Sequence, residues 1–152
     1  MNLTAYDVAS RFLGLKEGPG AINNPLIIAM LQLDNSWVSN DEVPWCSAFV
    51  NYVAWLLALP RSKSLAARSW LAVGEPVALP SDARMGNDIV ILQRGTPPQP
   101  GPAVLDAPGH VGFFAGFDEV HNTVRVLAGN QGDAVTYQTF PGDKILGIRR
   151  LA

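Results

Sequence analysis

Apolar positions change period about halfway along the chain, from helical spacing to alternation. Behind Thr4, an N-cap with Asp7 in the first turn, Tyr6, Val8, Ala9, Phe12 and Leu13 form an approximate helical stripe that frays at Gly14. Lys16 to Gly20 has the composition of a loop, and Asn24-Pro25 then reads as cap plus first helical residue for Leu26 to Leu33. From about Trp45 to Leu59 the chain is apolar nearly all round before it meets Pro60, which predicts a central helix covered on most sides. Cys46, Phe49, Val50 and Val53 share one face of it, and the proline before Cys46 suits a first helical turn. A further short helix is expected over Leu65 to Ala72, ending at Gly74.

Beyond Pro80 the pattern becomes extended. Asp88 to Leu92 is a β-branched run of the kind found in a buried strand. Four more strands are expected at His110 to Phe117, Thr123 to Gly129, Ala134 to Phe140 and Lys144 to Arg150, with turns at His121-Asn122 and Gln131-Gly132-Asp133. Between the first two lies Arg94 to Pro108, whose five prolines and two glycines make it a long surface loop. Helices first and a meander of strands after predict an α+β fold, with the cysteine helix packed on a C-terminal antiparallel sheet of about five strands. With no internal repeat and no long linker, residues 1–152 read as a single domain.

Composition narrows the partners. Hydrophobic residues make up 48% and charged residues 16%, as in a compact globular protein, and the net charge is −2. Lysines and arginines cluster no further than pairs, which argues against nucleic acid. The run from Ala48 to Leu59 is too short to span a bilayer and contains Asn51. The first residues lack the basic and apolar regions of a signal peptide, so a product made in the cytoplasm is expected, delivered elsewhere by another factor if it works there. A single cysteine excludes an internal disulfide and a multi-cysteine zinc site. The acidic stretch Asp34 to Glu42 lacks EF-hand spacing and reads as a solvated loop, so neither metal nor cofactor is expected.

Cys46 is the residue with chemistry to offer. At a helix start, unpaired N–H groups and the dipole favour the thiolate, although a small buried core residue would fit the same position. A cysteine nucleophile needs a base, and the chain has two histidines. His121 sits in a polar turn, whereas His110 follows Pro108-Gly109 and opens an apolar strand. The group that orients the base is expected one strand on. Period-two alternation places Asn130 on the face of Val124, Val126 and Ala128, and Gln131 on the opposite face if the strand stays regular. Asn130 is therefore the expected partner of His110, and Gln131 a contributor to an oxyanion site or to the turn.

The order cysteine, histidine, amide is that of papain-like hydrolases. Through Pro44-Trp45-Cys46-Ser47-Ala48-Phe49-Val50, Asn87-Asp88-Ile89-Val90-Ile91-Leu92, Gly109-His110-Val111-Gly112-Phe113 and Gly129-Asn130-Gln131, the chain resembles the phage-type peptidoglycan hydrolases of the NlpC/P60 and CHAP group. It departs from their usual Gly-Asp strand motif, because Asn87 intervenes between Gly86 and Asp88. The resemblance implies a papain-like fold and a monomeric cysteine amidase or endopeptidase that cuts stem-peptide amides of the cell wall. Cys46 would be its nucleophile, His110 its base and Asn130 the third polar member, with Trp37, Trp45, Trp70 and Gln131 along a substrate groove and at least one of the tryptophans in the core. Two alternatives stay open: the same scaffold acting on another amide, and a non-catalytic binding or assembly module.

Overall fold

A computed structural model describes residues 2–20 and 22–152. Three helices precede a six-stranded sheet: α1 (Ala5–Ser10), α2 (Pro25–Gln32) and α3 (Cys46–Leu56), then β1 (Glu75–Val77), β2 (Asp88–Gln93), β3 (Gly109–Asp118), β4 (Thr123–Gln131), β5 (Ala134–Pro141) and β6 (Ile145–Arg150). The sheet is antiparallel throughout, in the order β1-β6-β2-β3-β4-β5. The α+β architecture expected from the pattern is the one observed, with one more strand. That strand, β1, is a three-residue edge strand containing Pro76, a residue tolerated at an edge and a poor advertisement for a strand.

Local chemistry sets the helix boundaries. Thr4 and Asp7 form a reciprocal capping box on α1, and Asn24 Oδ1 accepts from Leu26 N above Pro25 on α2. The α3 helix is shorter than its apolar run at both ends. Pro44 lies outside it, before the N-cap Trp45. At the other end Ala58 turns left-handed (φ +53°), Ala58 N donates to Trp55 O and Leu59 N donates to Ala54 O. This is the Schellman arrangement with alanine where glycine is usual, so the helix stops before Pro60 is reached. The stretch expected as a helix over Leu65 to Ala72 is a 3₁₀ helix over Ala67–Ala72.

Alternation along the strands divides the core in two. Ile89, Ile91, Val111, Phe113 and Leu127 face the helices, whereas Val90, Leu92, Phe114, Val124, Val126 and Ala128 form a second cluster with Ile148. Phe49 is the centre of the first layer. Its ring meets Phe12, Trp45 and Phe113 edge-on, with centroids 5.9, 6.5 and 6.0 Å away. The polar side of α3 is also inside: Ser47 and Asn51, one turn apart, tie the following loop through Ser62, Lys63 and Ser64. Asn87, the departure from the Gly-Asp pattern, has a structural use, since its Oδ1 accepts from Ala5 N at the start of α1 (2.8 Å). Asp88, 1% exposed, receives a bidentate pair from Arg150 at 2.7 and 2.8 Å. These bonds lock α1 and β6 to the beginning of β2. His110 lies towards the other end of β2, where it pairs with Leu92.

Candidate active site

Cys46 opens α3 with its side chain turned into the sheet, 2% exposed. Burial pushes the thiol above its ordinary range, and it outweighs the backbone N–H groups of Val111, Ser47 and Cys46 itself and the positive field of Arg94. The helix start does favour the thiolate, as the sequence suggested, but desolvation wins. In this conformation Cys46 is a neutral thiol that a base must deprotonate.

The base candidate lies on the adjoining strand. His110 is the second residue of β3, next to Val111, and is 7% exposed. Gly109 lets Arg68 and β2 pack closely against the start of β3: a Cβ there would crowd Arg68 Cγ and Leu92 O. Burial lowers the imidazole's pKa, the positive field of Arg94 lowers it further, and a hydrogen bond to Gln131 acts in the opposite direction. His110 is thus held neutral.

That hydrogen bond corrects the expected partner. His110 Nε2 lies 2.9 Å from Gln131 Oε1, in a buried contact, whereas Asn130 makes no side-chain hydrogen bond to the ring. The cause is a β-bulge. Ala128 pairs with Thr136 and Gln131 with Ala134, so Gly129 and Asn130 together oppose the single residue Val135. Asn130 absorbs the extra residue at φ +59°. Alternation identified the right face, that of Val124, Val126 and Ala128, but the bulge delivers Gln131 to its end in place of Asn130.

The orientation of the Gln131 amide follows from its other partners. Nε2 donates to Thr136 O at 2.7 Å, which turns Oε1 towards the ring. The imidazole nitrogen facing Oε1 must then carry the proton, leaving Nδ1 as the basic nitrogen. Trp45 fixes the first bulge residue as glycine, because its ring packs so closely over Gly129 that a Cβ there would overlap it.

The remaining candidates divide by burial. Trp45 and Trp70 are fully buried, with indole nitrogens donating to Glu17 Oε1 (2.8 Å) and Ser47 Oγ (2.9 Å), so neither walls a groove. Trp37 is 70% exposed and lines neither the cavity at His110 nor the one at Pro44 and Gly109. His121 is exposed and paired with Asp118 in its turn. In the acidic loop, Asp34 pairs with Arg61 at 2.9 Å, and Asp41 Oδ2 accepts from Gly18 N and Asn24 N.

Two cavities adjoin Arg94. One, of about 200 Å³, is lined by His110, Gln131, Asn130, Arg94, Lys144 and neighbours. The other, of about 410 Å³, is largely apolar, with Pro44, Leu65, Ala67 and Pro108 in its wall. Arg94 and Gly95 belong to both and stand between them. They begin the proline-rich loop, which is clamped from below by a residue the sequence did not single out. Arg68, fully buried, donates to the carbonyls of Pro100, Gly101, Val104 and Pro108 at 2.8–3.1 Å. Prolines bring carbonyls without N–H donors, so a lone arginine in an apolar stretch was the available signal.

No protein-family model matches the sequence, and no curated protein matches it. No helix among the described residues is long and apolar enough to cross a membrane. Among solved structures, the chain is similar in fold to NlpC1 from Trichomonas vaginalis, with a TM-score of 0.56 and 17% identity over 97% of this chain. The chain spans 42% of that protein's length. What it shares with NlpC1 is therefore the α+β fold.

Proposed function

We propose that the protein is a cysteine hydrolase of amide bonds, with Cys46 as nucleophile, His110 as base and Gln131 as the group that orients the base. The observation that carries this reading is the buried His110–Gln131 hydrogen bond, on the strand whose Val111 N–H reaches the thiol of Cys46 at the head of α3. Gln131 supplies what was sought in Asn130, a fixed acceptor on the imidazole nitrogen that remains protonated. His110 Nδ1 takes the thiol proton as Cys46 Sγ attacks the substrate carbonyl, and returns it to the departing amine. Water then hydrolyses the thioester with His110 again as base. The N–H groups of the first turn of α3, unpaired within the helix, are the donors available to the oxyanion.

The substrate in this reading is a stem-peptide amide of the bacterial wall, on the strength of the Trp-Cys and Gly-His-Val-Gly motifs and the likeness of fold to NlpC1. Its place of action is then the wall. A second reading has one observation in its favour: Cys46 is 2% exposed and neutral, as in a binding module that keeps the fold without turnover. Digestion of purified peptidoglycan, followed by mass spectrometry, separates the two. Wild type should release new amines on intact glycan strands, and Cys46→Ala should release none. New reducing ends, or equal release by Cys46→Ala, would overturn the cysteine mechanism, and no release by wild type would favour the binding module.

A further inference from the structure

The cavity beside His110 has an unusual charge for this chain. The protein carries 13 acidic against 11 basic side chains, yet this cavity is lined by two cations, Arg94 and Lys144, and by no carboxylate. Neither cation has a salt bridge or side-chain hydrogen bond among the described residues, where the ion pairs formed are Arg61–Asp34, Arg150–Asp88 and His121–Asp118. Amides of Asn130 and Gln138 complete a wall rich in donors. An anion entering this cavity would meet two unpaired cations and no opposing carboxylate.

We infer that this cavity is a carboxylate-binding subsite, in which Arg94 and Lys144 hold a negatively charged amino-acid residue on the amine side of the scissile bond. The assignment of side rests on the proposed hydrolase reading, since the imidazole that lines the cavity is the group that hands its proton to the departing amine. The opposite cavity, beyond Arg94, is mainly apolar and suits a small uncharged acyl half. Arg94 provides the fork that matches a carboxylate, and Lys144 adds a point charge. Arg94 lines the same cavity as His110. It reaches there from the start of the loop clamped by Arg68.

Binding to ¹⁵N-labelled Cys46→Ala protein tests this without turnover. The probes are N-acetyl-alanyl-glutamate, with either enantiomer of the glutamate, and the corresponding dicarboxamides, titrated at millimolar concentration while amide shifts are followed. At low salt the carboxylate form of one enantiomer should bind about tenfold more tightly than its dicarboxamide, the yield of roughly one charge-assisted hydrogen bond. Shifts should appear at Gly95, Asn130 and Gly132, and the preference should shrink as sodium chloride is added. In Arg94→Gln/Lys144→Gln the preference should vanish. Equal binding of acid and amide, a preference that survives the double substitution, or no response of those amides would overturn the inference. Carboxylate binding by a protein that digests no wall would retire the hydrolase reading alone. Wall digestion without discrimination between the probes would retire only the subsite.

Discussion

Replacing Gln131 with leucine removes the acceptor from His110 while keeping a side chain of comparable volume. Gln131 is 4% exposed and His110 7%, so water cannot readily take the amide's place. The imidazole then keeps its Nε2 proton without a partner or turns away, and Thr136 O loses its 2.7 Å donor. An unpaired buried polar group costs about 1–3 kcal/mol, and leucine restores part of the apolar contact, so a net loss of about 2 kcal/mol is expected. For a domain of this size that corresponds to a melting temperature lower by roughly 4–8 °C. The orienting role predicts something stability alone does not. In ¹⁵N-detected spectra of ring-labelled protein, wild-type His110 should be in the Nε2-protonated tautomer, and Gln131→Leu should show a tautomer mixture. Wall-degrading activity should fall by about a hundredfold, the usual scale for losing a ligand-orienting partner. Asn130→Ala should leave the tautomer unchanged, because that side chain makes no hydrogen bond to the ring. A wild-type tautomer in Gln131→Leu, or its loss in Asn130→Ala, would refute the bulge-based assignment.

Chemical denaturation should show stability falling as pH drops from 7.5 to 5.0. The folded His110 pKa is lowered, so its contribution is present above the unfolded histidine value and lost as pH falls through the folded one. His110→Asn should flatten that part of the profile, and an unchanged profile would contradict a buried neutral imidazole. Iodoacetamide labelling of Cys46 should be slow at mildly acidic pH and accelerate towards alkaline pH, because burial raises the thiol; fast labelling at acidic pH would mean a preformed thiolate. Gly129→Ala should cost about 1–3 kcal/mol of overpacking, read from the denaturation midpoint, because its Cβ would overlap the Trp45 ring; a neutral effect would mean that the bulge can relax.

Hydrophobic period and local caps are properties of neighbours in the chain, and to that extent the fold was legible. The capping box at Thr4, the Asn24-Pro25 start and the strands from Asp88 onwards follow from residues within a few positions of one another. Cys46 and His110 were legible as candidates for the same reason, each standing at the edge of an apolar run. Other features depend on residues far apart in sequence. Gln131 meets His110 because the strand bulges at Gly129 and Asn130, where the Trp45 ring leaves no room for a Cβ at 129. Trp45 and Trp70 read equally well as groove or core until tertiary packing closed over both. The thiol's state was likewise decided by the fold: the helix start is a local, sequence-encoded influence, but the desolvation that outweighs it comes from everything packed around Cys46. Arg68 needed the loop's carbonyls, some 30 to 40 residues away, to become a clamp. Sequence by itself determined most of the elements and two of the candidate side chains; which side chains meet, and in what charge state, belongs to the tertiary structure, because contact and desolvation do not exist along an extended chain.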